Sequence, residues 1–105
     1  MNRQQQIDQF LLAAHRLALA RLRADPARIE PVRAQLMRWR QQSGPTRSDP
    51  YWEEWKSLLL GDVADLERVV CADDDRGALL RSVSPMSTLV TQAERMALLR
   101  AARSA

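Results

Sequence analysis

The stretch DPYWEEWKSLLLG, residues 49–61, decides the fold, because it specifies a short helix together with both of its ends. Asp49 is placed to cap the first free amides, and Pro50 suits the first helical position, where its missing N–H would be unpaired anyway. Gly61 can take the left-handed conformation that closes a helix. At 100° per residue, one face collects the apolar side chains Tyr51, Trp52, Trp55, Leu58 and Leu59. This face holds three of the five aromatic residues of the chain, so we expect the core to form around it.

The rest of the sequence also favours helix. Only three of its 105 residues are glycine, and no alternating β-branched run is long enough to indicate a strand. Pro26 ends a first helix at about residue 24, and Pro31 starts a second one that reaches about residue 42. Asp62 is expected to cap a further helix, and the spacing of Thr91 and Glu94 is that of a capping box before the last one.

These signals predict one all-α domain over residues 1–105, a small bundle of five to seven short-to-medium helices. We expect residues 1–42 to form a basic helical pair, and residues 49–105 to form a compact part centred on the aromatic face. Residues 43–48, with the sequence Ser-Gly-Pro-Thr-Arg-Ser, read as a loop between them.

The first predicted helix has more apolar surface than one neighbour would cover. Leu12 and Leu19, seven residues apart, extend its main apolar arc well round the side. Such a helix needs two neighbours, one of which is the body of its own domain. The other is either a further helix of the same chain or a separate molecule. The second option predicts a binding site for a partner protein that includes Leu12 and Leu19.

Charge is distributed unevenly along the chain. Residues 1–48 contain nine arginines and three carboxylates, a formal charge of +6, whereas residues 49–105 carry −3. A basic half can attract an acidic protein, a polyanion or the acidic half of a second copy. If the first two helices lie antiparallel, one surface would collect four basic side chains, namely Arg16, Arg23, Arg33 and Arg40.

Catalytic machinery is hard to assemble from this composition, and we predict a protein that is not an enzyme and has no cofactor or metal site. His15 is the only histidine and Cys71 the only cysteine, and each is expected to pack in or beside the core. The acidic run at residues 73–75 lacks the alternate spacing of a calcium loop and is expected to cap a helix. Arg81 and Arg95 adjoin apolar stretches, where either could extend its guanidinium to solvent or be partly buried. We expect a structural ion pair with Glu53, Glu54 or Asp65.

The second half resembles a group of known sequences. Trp52 and Trp55 are followed by the pairs Leu58-Leu59 and Leu80-Arg81, then by Ser84-Pro85 and Glu94-Arg95. Over about residues 50–100 this spacing is similar to that of small bacterial proteins encoded beside nucleotidyltransferase-type toxins. The resemblance implies an antitoxin-like partner protein and transfers no catalytic residue.

The leading hypothesis is a non-enzymatic interaction protein, an antitoxin or inhibitor that docks its N-terminal helix on a partner protein. One alternative is a nucleic-acid-binding regulator that acts as a homodimer, and another is a structural homo-oligomer. No apolar stretch approaches the length of a membrane span and no leader sequence is recognisable, so the expected location is the cytoplasm.

Overall fold

Six α-helices and two 3₁₀ turns make up the computed structural model, which describes residues 2–104. The α-helices are α1 (Arg3–Ala24), α2 (Ile29–Ser43), α3 (Asp49–Leu60), α4 (Val63–Val70), α5 (Asp75–Ser82) and α6 (Gln92–Ser104). The 3₁₀ turns lie at Pro26–Arg28 and Met86–Leu89. No β-strand occurs in the described range, and the predicted all-α bundle is confirmed. No described helix combines the length and the apolar character that crossing a membrane requires.

Side chains cap several of these helices where the sequence predicts it. The Asp62 carboxylate accepts the Asp65 amide at 2.8 Å and starts α4. At the start of α6, Thr91 and Glu94 each accept the other's backbone amide, at 3.2 and 2.8 Å, so the capping box is confirmed. The second helix begins at Ile29, two residues before Pro31.

Pro50 lies in the first turn of α3, but the capping roles predicted for Asp49 and Gly61 are wrong. Asp49 is the first helical residue rather than the cap, because Ser48 already has helical backbone angles. The Asp49 carboxylate instead accepts the Thr46 hydroxyl at 3.1 Å. Gly61 is extended (φ −87°, ψ −164°), since the chain must run straight into the Asp62 cap of α4. The left-handed glycine is Gly44, with φ 64°, which ends α2.

The aromatic face of α3 lies in the core, as predicted. Trp55 is fully buried, and its indole N–H donates to the Leu80 carbonyl of α5 at 2.9 Å. Trp52 and Leu59 are buried on the same face. Because a buried indole must place both its ring and its N–H, Trp55 fixes the position of α3 against α5.

The first helix packs against the C-terminal half of the chain, not against α2. It contacts α4, α5, α6 and the second 3₁₀ turn, whereas α2 packs mainly on α3 and the two turns. Arg21 of α1 forms an ion pair with Glu94 at the start of α6. The expected pairing of the first two helices is therefore not what the structure shows, because the wide apolar arc of α1 is covered by α4–α6.

The corner between α4 and α5 is closed by a buried arginine. Arg81 is 3% exposed, and its Nη1 donates to the carbonyls of Val70 (2.8 Å) and Ala72 (2.7 Å). Val70 is the last residue of α4, where the helix leaves acceptors unpaired, and Ala72 follows the C-cap Cys71. Gly77 packs against the same atoms, and a Cβ there would lie 2.4 Å from the Ala72 oxygen and 2.9 Å from Arg81 Nη1.

We expect Gly77→Ala to destabilise the protein by about 1–3 kcal/mol, although alanine is normally the better helix former. The added methyl group would meet a backbone carbonyl that has no room to move. Urea denaturation followed by circular dichroism measures this change.

Gly61→Ala is the matched control, because a Cβ at that position has only ordinary contacts, the nearest at 3.6 Å. Its free energy of unfolding should stay constant or rise by up to about 1 kcal/mol. Equal effects of the two substitutions would contradict the close packing at Gly77.

Candidate partner-binding groove

The structure distributes the predicted contact residues over several places rather than one surface. Leu19 is completely buried in the core, so the prediction that it forms an uncovered strip with Leu12 is wrong. Leu12 is half-buried and, with Arg16, lines a hollow of about 430 Å³ between α1 and α6. Arg23 forms an ion pair with Glu67 of α4.

Arg33 and Arg40 share a groove between α2 and α3, which we call the α2–α3 groove. Its volume is about 310 Å³, and its lining consists of Arg33, Leu36, Met37, Arg40, Gln41, Lys56, Leu59 and Leu60. Leu36 and Leu59 are buried and form its floor. Met37 and Leu60 are 61% and 65% exposed, the largest values among the exposed large apolar side chains of the described residues.

Arg33 is held on the groove wall by the end of α3. Its Nε and Nη2 donate to the Leu59 carbonyl at 2.9 and 2.5 Å, and its Nη1 contacts the Glu30 carboxylate at 2.6 Å. The Leu59 carbonyl belongs to the last turn of α3, where a cation also favours the helix dipole. Arg33 therefore stabilises the α2–α3 contact as well as lining the groove, a role that the sequence analysis missed.

Arg40, one turn from Met37 on α2, is also held by a residue of α3. Its Nη2 lies 2.5 Å from the Glu53 carboxylate of α3. Lys56 adds a third cation, and the groove lining contains no carboxylate. The groove thus combines an apolar floor with cations around it, two from α2 and one from α3.

A second stripe on α2 marks this groove in the sequence. Residues 33, 37, 40 and 41 follow the i, i+4, i+7, i+8 spacing of one helix face, beside the buried row that contains Val32 and Leu36. Charge singles out Arg33 and Arg40 of this stripe in the sequence, but not Met37, which lies between them. Leu60 carried no comparable signal, because it follows two leucines whose burial is expected.

The only histidine lies in a buried polar cluster beneath α1. His15 Nδ1 is 2.7 Å from the Leu11 carbonyl, and Nε2 is 2.6 Å from the Ser84 hydroxyl. A carbonyl can only accept, so Nδ1 carries the proton and Nε2 accepts from Ser84. The Ser84 oxygen also accepts the Met86 amide at 3.1 Å. His15 is 6% exposed, so the predicted packing role is confirmed, and the pair ties α1 to the chain after α5.

The ion pairs predicted for Arg81 and Arg95 are wrong. Arg81 binds backbone carbonyls, and Arg95 is exposed with its guanidinium carbon 5.9 Å from the centre of the Phe10 ring. The proposed acidic partners have other cations: Glu53 pairs with Arg40, Glu54 with Arg76, and Asp65 with Arg68.

The remaining candidate ligands do not assemble into a site. Asp74 of the acidic run accepts the Gly77 amide at 2.7 Å and caps α5, as predicted. Burial raises the pKa of the Cys71 thiol, so the thiol form is favoured. Across residues 2–104, no group of three or more histidine, cysteine, aspartate or glutamate side chains is placed to hold a metal ion.

No family model, curated protein or solved structure matches this chain. The groove and the buried cluster are therefore interpreted from their own geometry.

The titration of His15 gives a direct test of its burial. Burial lowers the pKa of His15 to about 4. The hydrogen bond to the Leu11 carbonyl acts to raise this pKa, and the charge of Arg81 acts to lower it further. Because His15 is the only histidine, its imidazole signals are assigned without ambiguity. We expect an NMR titration midpoint near pH 4, and a midpoint near the unperturbed 6.5 would contradict the buried cluster.

Stability should follow the same linkage. The unfolded histidine takes up a proton below pH 6.5, whereas the folded one stays neutral until about pH 4. The stabilisation present above pH 6.5 is therefore lost as the pH falls, by about 2 kcal/mol between pH 7.5 and 5. Hydrogen bonds from Arg21 and Thr91 lower the pKa of Glu94 to about 2, so the stability that Glu94 contributes is lost mainly below pH 4.5. In His15→Gln, the free energy of unfolding measured by urea denaturation should no longer fall between pH 7.5 and 5.

Proposed function

We propose that this protein is a non-enzymatic interaction module that binds an acidic, amphipathic helix of a partner protein in the α2–α3 groove. The observation that carries the proposal is the exposure of Met37 and Leu60 on either side of a floor formed by Leu36 and Leu59. Large exposed apolar side chains grouped in one groove, with polar residues at its rim, are typical of protein-interaction sites.

The shape of the groove favours a helix as its occupant. A helix that lies between two helices inserts side chains at i, i+3, i+4 and i+7 into the gap. Met37 and Leu60 would cover such side chains from both sides, and methionine adapts readily to different shapes. Burial of the exposed parts of these two side chains would contribute on the order of 1–2 kcal/mol each.

Charge selects an acidic partner over a neutral one. Arg33, Arg40 and Lys56 line the groove. Arg33 and Arg40 are paired with Glu30 and Glu53, which lie outside the lining, so Lys56 is the lining cation without a salt bridge among the described residues. Two of the three are already fixed, Arg33 by the Leu59 carbonyl and Arg40 by Glu53, so little side-chain entropy is lost when a partner carboxylate approaches. Opposite charges across the rim would raise the association rate and fix the orientation of the partner.

Within this class we propose an antitoxin or inhibitor, as the resemblance of residues 50–100 implies. The docking surface, however, is the α2–α3 groove and not the Leu12 and Leu19 strip of α1, because Leu19 lies in the core. A groove occupied by an acidic segment of a toxin would hold that segment away from the toxin's own active site. The cytoplasm, where such pairs act, is part of the same proposal.

Binding of nucleic acid by the four predicted arginines receives less support. Arg33 and Arg40 lie in the groove, Arg16 lines the hollow between α1 and α6, and Arg23 pairs with α4. A phosphate backbone contacts several cations at once, and these side chains do not present one continuous row. A second copy of the chain, with its acidic half in the groove, is a further outcome that the test below separates.

The double substitution Met37→Glu/Leu60→Glu should abolish function without unfolding the protein, because both side chains are mostly exposed. We expect wild-type protein to restore growth when it is expressed with its neighbouring gene product, and the double variant to fail. Isothermal titration with the purified partner should show affinity weakened by about 100-fold or more.

Leu79→Glu/Met96→Glu is the matched control, since it adds the same two charges at exposed apolar positions on α5 and α6. This variant should restore growth like the wild type. Full activity of the groove variant would contradict the proposed surface, and no rescue by the wild type would overturn the antitoxin assignment. A fall in sedimentation mass of the isolated chain in the groove variant alone would assign the groove to a second copy.

A further inference from the structure

A further pocket, separate from the α2–α3 groove, lies between α1, α5, the second 3₁₀ turn and α6. Its volume is about 180 Å³. Phe10, Leu11 and Ala14 of α1 form an apolar wall. The polar part of the lining consists of His15, Arg81, Ser82, Ser84, Ser87 and Arg95. No carboxylate lines this pocket, so its only formal charges are the two guanidinium groups.

Neither arginine has a counter-charge among the residues that the structure describes. Within residues 2–104, no salt bridge is formed by Arg81 or by Arg95. Arg81 is 3% exposed, and while its Nη1 binds two carbonyls, its Nε has no hydrogen-bond partner. A buried N–H without an acceptor is costly, and a buried cation without a counter-charge more so. Arg81 therefore has no counter-charge among the described residues. Its Nε is enclosed by protein atoms, so a ligand would meet the part of the guanidinium that lines the pocket.

Arg95 lies at the rim of the pocket in a defined position. Its guanidinium carbon is 5.9 Å from the centre of the Phe10 ring, a distance at which a cation is attracted to the ring face. The contact leaves the N–H groups at the edge of the guanidinium plane free to donate to an anion. Arg95 can thus contact a ligand in the pocket from an exposed position.

The hydroxyl groups of the pocket differ in what they offer. Ser84 is committed to His15 and to the Met86 amide, and Ser82 donates to the Leu79 carbonyl at 2.6 Å. Ser87 is exposed on the 3₁₀ turn and can turn its hydroxyl towards a ligand. His15 is neutral near pH 7, so it adds no charge that would compete with the arginines.

We propose that this pocket binds a small tetrahedral oxyanion of the phosphate type between Arg81 and Arg95. Two guanidinium groups and a free hydroxyl suit the charge and the acceptor oxygens of phosphate. The volume is below that of a drug-sized ligand site, so the ligand is phosphate itself or the phosphoryl group of a small monoester, not a nucleotide. The proposal is independent of the α2–α3 groove.

NMR titration of the full chain with inorganic phosphate tests this assignment, with sodium chloride at equal ionic strength as the reference. We expect saturable shifts of the Ser84 and Ser87 amides and of the Arg95 side chain with phosphate only. Arg95→Gln should weaken binding by about tenfold or more, because it removes one charge-assisted contact from an exposed position where folding is not at risk.

Arg100→Gln is the matched control, an exposed arginine one and a half turns further along α6 and outside the pocket lining. It should leave the phosphate affinity unchanged. A parallel titration with methyl phosphate distinguishes the sources: tighter binding than inorganic phosphate assigns a monoester, and weaker binding assigns the free ion. Shifts that do not saturate, that chloride reproduces, or that Arg95→Gln and Arg100→Gln change equally would overturn the proposal.

Discussion

The contact on which the rest of the structure depends is the hydrogen bonding of the buried Arg81 to the carbonyls of Val70, the last residue of α4, and Ala72, just beyond it. It closes the corner between α4 and α5, and Gly77 leaves the space in which the guanidinium and the Ala72 carbonyl meet. The same short helix accepts the Trp55 indole through the Leu80 carbonyl. Just beyond it, Ser84 binds His15 of α1. Arg81, Leu80 and Ser84 thus join α5 and the segment after it to α4, α3 and α1, in a chain that has few glycines and a single cysteine.

This corner determines which surfaces are left for binding. The wide apolar arc of α1 lies on α4, α5 and α6, so Leu19 has no exposed area left to offer a partner. The second helix has fewer neighbours, because it packs on α3 and the two turns and its other flank faces outward. Met37 and Leu60 remain exposed there beside three cations. A partner is therefore expected on the α2 side of the molecule, and a small anion on the α5–α6 side.

Local signals predicted the helices well, and long-range packing accounts for what they missed. Pro26, Asp62 and the Thr91–Glu94 capping box act within a few residues, so the sequence places the helix boundaries they control to within a residue or two. The helical period also identifies the buried face of α3. The period cannot say which neighbour covers a face, which is why Leu12 and Leu19 read alike although only Leu19 is fully buried. For the same reason an ion pair is expected for Arg81. Its actual acceptors are backbone carbonyls, which every residue has and which the sequence therefore does not distinguish. Of the α2–α3 groove, the sequence identifies Arg33 and Arg40. That Met37 and Leu60 are exposed beside them is seen only in the folded structure.

The central claim is that a partner contacts α2 and α3 rather than the N-terminal helix. Site-specific photo-crosslinking tests it most directly, with a benzophenone amino acid at position 37 in one protein and at position 12 in another, each expressed in the native host. The account predicts one dominant adduct from position 37, with an acidic helical segment as the cross-linked peptide, and its loss when Lys56→Glu is added. An adduct that forms from position 12 and not from position 37, or a cross-linked segment that is basic, would contradict it.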